Sequence, residues 1–137
     1  MALVVSTPLG QIRLALRPDA APATVAHITK LVRDKIFDGT VWYRSDFVIQ
    51  TGLHGSGRPN PHADLAVNES VGAGAAGALS NTRGAAAVAH WDAPDCGNSE
   101  WFISLRDNPH LDAAYGGYAV FAAVRAASRS LHCVLAH

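Results

Sequence analysis

The residues of this chain best suited to chemistry lie in three separated runs: Arg44, Phe47 and Gln50 in T-V-W-Y-R-S-D-F-V-I-Q, Trp101-Phe102-Ile103, and Asn108-Pro109-His110-Leu111-Asp112. A guanidinium supplies fixed donors, an amide both donates and accepts, and aromatic rings offer an apolar wall. Brought together, they make a site that holds an extended peptide with an apolar ring in a pocket.

Other motifs carry less chemistry. G-A-G-A-A-G at 72–77 matches G-x-G-x-x-G, but a turn-rich A-L-S-N-T-R-G follows it and only N-E-S-V precedes it. No βαβ unit that would seat a dinucleotide can be drawn there. The seven histidines form no H-x-x-x-H or H-E-x-x-H pair; His54, His62 and Asp64 share one loop and read as incidental surface residues. No G-x-S-x-G elbow supports a serine hydrolase. Asn68-Glu69-Ser70 is a formal glycosylation sequon, relevant only to a secreted protein.

The elements that must position the candidate residues can be read from periodicity. Residues 3–16 predict a hairpin around Thr7-Pro8-Leu9-Gly10, because Ile12, Leu14 and Leu16 alternate with Gln11, Arg13 and Ala15. From Pro22 the period changes: Val25, Ile28, Leu31 and Val32 share a helical face over 22–34. Thr40–Gln50 predicts strand, tight turn or bulge at Ser45-Asp46, and strand. Residues 52–84 read as a long functional loop. The strand-like A-A-A-V-A-H, W-F-I-S-L and G-Y-A-V-F-A-A-V, divided by turns, point to a barrel or sandwich. The last 13 residues, from Arg125, suit a short helix and contain no convincing strand followed by a turn.

A length of 137 residues suits one domain spanning 1–137, and 49% hydrophobic with 16% charged residues is enough for a packed core. Eleven cations balance eleven anions without a like-charged run, which argues against nucleic acid or a membrane surface as partner. Cys96 and Cys133 lie far apart, so reduced thiols are expected rather than a disulfide framework or zinc ribbon. The opening M-A-L-V-V-S-T-P lacks a basic n-region. No stretch reaches the ~18 apolar residues of a membrane span, and a cytoplasmic protein is expected.

In order and approximate spacing, D-G-T-V-W-Y-R, F-V-I-Q-T-G, L-S-N-T-R-G-A-A-A-V-A, S-E-W-F-I-S-L, N-P-H-L-D and G-Y-A-V-F-A-A-V resemble the cyclophilin family of peptidyl-prolyl isomerases. The resemblance covers roughly residues 3–125 and is strongest to the compact bacterial-type branch. It implies a mainly β fold, a cyclophilin-like antiparallel β-barrel with one or two capping helices. It implies catalysis of rotation about X-Pro bonds in proline-containing peptides or unfolded segments, assisting protein folding, with no cofactor and no metal. By the same resemblance Arg44 is the catalytic donor, and Phe47, Val48, Phe102 and Leu111 wall the proline pocket. Gln50 fixes the substrate backbone, Ala89 and His90 pair with the peptide, Tyr118 stands at the pocket edge, and His110 falls at a substrate-binding position that is usually aromatic. Cyclosporin-type ligands are implied as weak binders.

The chain departs from the family pattern in four places. Only Ser45-Asp46 separate Arg44 from Phe47, where four residues are usual. Losing an even number preserves strand alternation, so Arg44 and Gln50 are expected to share a face. Asp46 is spaced to pair with Arg44 and to hold its guanidinium away from substrate. Val48 replaces a larger side chain, and Glu100 brings a negative charge where a neutral glutamine is frequent. Finally, no closing strand is recognisable after residue 125, which predicts an open barrel of marginal stability. Two readings stay open: an isomerase, and a weak or inactive module that binds proline peptides without turnover.

Overall fold

Alternation decides the first element. Ile12 and Leu14 are buried while Gln11 and Arg13 between them are exposed, as strand periodicity requires. They lie on β2 (Gly10–Leu16), paired antiparallel with β1 (Ala2–Thr7) in the register Thr7↔Gly10. The two-residue loop is clamped by Thr7, whose hydroxyl donates to Gly10 O at 2.8 Å and accepts from Leu9 N at 3.2 Å. The structure is a computed structural model that describes residues 1–125. The expected C-terminal helix, the expectation that no closing strand follows residue 125, and Cys133 lie outside the described residues.

Helix α1 (Pro22–Arg33) starts on proline, whose fixed φ and missing N–H suit a first turn. Its buried face is Thr24, Val25, His27, Ile28 and Leu31. Val32, expected on that face, is instead exposed, because it lies about 100° around the helix from Leu31. No local side chain caps the helix. Glu69, remote in sequence, accepts from Ala23 N (3.2 Å), Thr24 N (2.7 Å) and the Thr24 hydroxyl (2.7 Å). An anion at orphan first-turn N–H groups is worth about 1 kcal/mol.

Five further strands complete the sheet: β3 (Arg44–Ser45), β4 (Val48–Thr51), β5 (Ala85–Val88), β6 (Trp101–Ser104) and β7 (Val120–Val124). The order is β1-β2-β7-β5-β6-β4-β3, antiparallel throughout, with β1 and β3 at the edges among the described residues. The segment expected to be one strand from Thr40 yields only the two-residue β3. Val41 there is exposed, Trp42 packs edge-on to Trp101 (5.4 Å) and only Tyr43 N reaches Gln50 O (3.1 Å). The break falls at Asp46-Phe47, one residue later than expected, because Ser45 still pairs with Ile49. The run expected as a turn after Asn108 is a 3-10 helix, Pro109–Asp112.

The sheet has two apolar faces. One packs Ile12, Leu14, Ile49, Trp101, Ile103 and Phe121 against Val25 and Ile28 of α1. The other gathers Val48, Ala85, Ala87, Phe102, Leu111 and Val120. Adjacent residues of β6 serve opposite faces, Trp101 and Ile103 on the first, Phe102 on the second.

His27 is the buried titratable group of this core. Its Nε2–H donates to Asn98 O at 3.2 Å. Burial pushes its pKa below the ordinary imidazole value, against the opposing effect of the hydrogen bond it donates to Asn98 O. The unfolded chain therefore binds the proton more readily. The stabilisation is complete above about pH 6.5, the unfolded value, and is lost as pH falls through the lower folded value. We expect the stability gap between the native chain and His27→Gln, measured by urea unfolding, to narrow from pH 8 to pH 5; a gap independent of pH contradicts this.

Candidate functional site

Direct cross-strand partners share a face, and the register lines up one row across five strands. Arg44 on β3 pairs with Gln50 on β4, Gln50 with Phe102 on β6, Phe102 with Ala87 on β5, and Ala87 with Val120 on β7. The row runs from a cation at the edge through an amide to an apolar floor. The shortened segment between Arg44 and Phe47 thus keeps Arg44 and Gln50 together, as strand alternation predicts.

The floor is packed: Val48 is 2%, Phe102 3% and Leu111 9% exposed. Phe47, Ala89 and Tyr118, half-buried, pack against it at the rim. Tyr118 meets Phe102 edge-on at 5.7 Å and stacks on His90 at 4.2 Å. His110 meets the Phe47 ring edge-on at 5.3 Å. The residues to which the resemblance gives site roles therefore belong to one contiguous patch, whereas Trp101 and Ile103 lie on the opposite face of the sheet. One neighbour escaped sequence reading, the Arg106 guanidinium, 5.7 Å from the Phe47 ring centroid. Asp112 accepts from the Ser80 hydroxyl and from the backbone and side-chain N–H of Asn81 (2.8 and 2.9 Å), tying the loop before β5 to the 3-10 helix that carries His110 and Leu111. Burial raises its pKa, but those hydrogen bonds outweigh it and hold the carboxyl below the ordinary value.

Arg44 is half exposed, its Cζ 5.1 Å from the Phe47 ring centroid. Its Nε donates to Asp46 Oδ2 at 2.9 Å, the pairing anticipated from sequence, and its Nη1 to Gln50 Oε1 at 3.4 Å. Among the described residues Nη2 has no hydrogen-bond partner. Asp46 also closes the hairpin, since Oδ1 accepts from Val48 N at 3.2 Å. Burial raises the Asp46 pKa, but the Arg44 and Val48 hydrogen bonds outweigh it and lower it overall.

Glu100 is not a free charge in the groove. Its carboxylate accepts from the Tyr43 hydroxyl (2.8 Å), Leu53 N (3.1 Å), His54 N (3.2 Å) and the Ser99 hydroxyl (2.5 Å). Gly52 permits this approach, because a Cβ there would overlap the carboxylate. Tyr43 in turn accepts from Gln50 Nε2 at 2.9 Å. Burial first, then the Glu100 hydrogen bond, push the Tyr43 phenol up to about 12, so it stays protonated and available as a donor.

Beside the row lies a cavity of about 620 Å³, lined in part by Tyr43, Gln50, His54, Ala89, His90 and Glu100. It shares Gln50 with the row but is not lined by Arg44, Phe102 or Val48. Ala89 N is taken by Glu100 O (2.8 Å), while the backbone N–H and C=O of His90 have no backbone partner among the described residues. An extended peptide can use those groups. Among the described residues no three His, Cys, Asp or Glu side chains converge to hold a metal. His62 lies on Asp34 (2.8 Å) and Asp64 on Asn98 (3.0 Å). The 72–77 glycine run packs on the 3-10 segment, where a Cβ at Gly72 would strike Asp112 O.

Residues 2–134 match the family described as cyclophilin type peptidyl-prolyl cis-trans isomerase/CLD. The chain is 33% identical over 122 residues to a peptidyl-prolyl cis-trans isomerase of Acinetobacter baylyi, covering 86% of this chain and 63% of that one. It is 34% identical over 108 residues to peptidyl-prolyl cis-trans isomerase B of Bacillus subtilis, covering 77% and 71%. Against the first of these relatives the chain spans just under two thirds of their length. In fold it is similar to a Hirschia baltica cyclophilin (TM-score 0.77, 18% identity, 90% of this chain and 63% of that one). It is equally similar to a Cryptosporidium parvum cyclophilin-type isomerase (TM-score 0.76, 19% identity, 98% and 85%).

Asp46 carries two hydrogen bonds at an exposed turn, where an ion pair itself is worth about 0–1 kcal/mol. Asp46→Ala should therefore lower stability in urea by about 1 kcal/mol. Asp46→Asn, which keeps an acceptor for Val48 N, should cost less. Equal losses in the two variants would contradict this account of the turn.

Proposed function

The chain belongs to the cyclophilin-type peptidyl-prolyl cis-trans isomerase family, and on that premise we propose that it catalyses rotation about X-Pro bonds in exposed or unfolded peptide segments. The observation that carries the reading is the row that joins a partly unpartnered guanidinium, an amide and an apolar floor in one register.

An X-Pro bond turns over a barrier of ~18–20 kcal/mol because rotation breaks amide resonance. In the twisted state the proline nitrogen is pyramidal and its lone pair localised, so it accepts a hydrogen bond that either planar state refuses. A donor aimed there binds the twisted state in preference to the ground states, and each ~1.4 kcal/mol of preference is tenfold in rate. In this reading Arg44 Nη2 is that donor. No covalent bond breaks and no proton is transferred. Val48, Phe102 and Leu111 take the proline ring, with Phe47, His110 and Tyr118 at its edge, and exclusion of water strengthens the Arg44 bond. Gln50 holds the peptide backbone, and Ala89 and His90 offer an extended edge to it.

The Cryptosporidium isomerase was crystallised in the presence of the dipeptide Ala-Pro, which supports a proline peptide as ligand of the shared fold. Cyclosporin-type ligands enter the same groove weakly, because His110 offers less apolar surface than a larger aromatic. Cys96 has no disulfide partner among the described residues, and folding assistance in the cytoplasm is the setting proposed. Among the described residues no helix is long and apolar enough to cross a membrane. Binding without turnover is the less favoured reading, since Asp46 engages Nε and leaves Nη2 without a partner among the described residues.

The test is two-dimensional exchange NMR on an Ala-Pro peptide with catalytic amounts of the chain. Cis and trans peaks should exchange rapidly with the native protein, and Arg44→Ala should slow the catalysed rate by about a hundredfold or more, the usual loss for a transition-state donor. Peptide shifts on titration without any exchange would establish the binding module instead.

A further inference from the structure

A chain of hydrogen bonds runs from Glu100 to Arg44 and has only one possible polarity. An ionised carboxylate accepts and cannot donate, so the single Tyr43 proton lies on the 2.8 Å bond to Glu100 Oε1. The Tyr43 oxygen must then accept across the 2.9 Å contact to Gln50, which obliges Gln50 to turn Nε2 toward Tyr43. The other corner of that amide, Oε1, is left facing Arg44 Nη1 at 3.4 Å. With the amide reversed, an N–H would confront the guanidinium and the two would repel.

From this geometry we infer that Tyr43, fixed by Glu100, is a positioning residue that sets the Gln50 amide and through it the plane of the Arg44 guanidinium. The inference rests on the isomerase reading and adds residues to it. Asp46 at Nε and Gln50 at Nη1 hold two separate corners of a rigid planar group, and Nη2 stays available. Neither anchor alone fixes the plane, since a single hydrogen bond leaves rotation about its axis. The supports come from distant parts of the chain. Tyr43 precedes β3, whereas the carboxylate that orients it precedes β6 and is itself locked by Ser99 and the backbone of Leu53 and His54. Glu100 thus has its acceptor sites filled and acts by fixing direction rather than by meeting a ligand.

Tyr43→Phe keeps the ring and removes only the hydroxyl, so it tests the relay without emptying the space. Exchange NMR on the Ala-Pro peptide would be run on the native chain, Tyr43→Phe, Gln50→Ala and the double variant. Without peptide, the side-chain cross-peaks of Gln50 Nε2 and Arg44 Nε would be recorded in the native chain and in Tyr43→Phe. Tyr43→Phe should lower kcat about tenfold with KM within about twofold, since a tilted donor weakens only the twisted state. The Gln50 and Arg44 cross-peaks should move, and Tyr43→Phe should add nothing in the Gln50→Ala background. Independent, multiplying effects of the two substitutions would overturn the relay, as would unmoved cross-peaks. If the native chain catalyses no exchange, the isomerase reading fails, and the cross-peaks alone decide whether Tyr43 positions Gln50 and Arg44.

Discussion

Everything proposed for this chain depends on the register of β3 against β4. Pairing Arg44 with Gln50 and Ser45 with Ile49 puts the guanidinium on the face that carries Phe102 and Val48. Because side chains alternate with a period of two, a slip by one residue would send Arg44 to the opposite face and bring its neighbour into the row. The pin is small: Asp46 closes the turn through Val48 N and at the same time holds Arg44 Nε. One side chain thus sets both the strand register and the donor that the register delivers.

Rigidity and direction come from different forces. Val48, Phe102 and Leu111 are almost wholly buried, and each contributes about 1.5–3 kcal/mol by leaving water, so the floor is held by packing. Arg44, by contrast, is half exposed, and its ion pair adds little to stability. Its placement is instead a matter of geometry, with acceptors at two corners of a planar group. Asp112 plays the same part on the far side of the floor, binding Ser80 and Asn81 so that His110 and Leu111 are presented from a short 3-10 helix.

Much of this was legible in the sequence where the signal is local. Ile12 and Leu14 announce β2 by alternation, and Pro22 with Val25, Ile28 and Leu31 announces α1. The ordered motifs around Arg44, Phe102 and Leu111 pointed to one family and one site, and the Arg44–Asp46 pairing followed from a spacing of two. What stayed hidden is non-local. Nothing near Ala21 signals a cap, because the cap is Glu69, and nothing near Glu100 signals that it will be enclosed by Leu53, His54 and Tyr43. The glutamate therefore read as a charge in the groove when it is a filled acceptor. Pro109–Asp112 read as a turn because four residues are too few to display a helical period. Thr40–Tyr43 is rich in strand formers, yet Trp42 is drawn against Trp101 and the ladder begins only at Arg44. Tertiary packing overrode propensity there.

The central claim, that proline seats on the Phe102 floor beneath the Arg44 guanidinium, is tested most directly by intermolecular NOEs between an Ala-Pro peptide and the isotope-labelled chain. The account predicts contacts from the proline ring methylenes to Phe102, Leu111 and Tyr118, and from the proline δ protons toward the Arg44 side chain. Contacts confined to the neighbouring cavity, at His54 and Trp91 with none to Phe102, would contradict it.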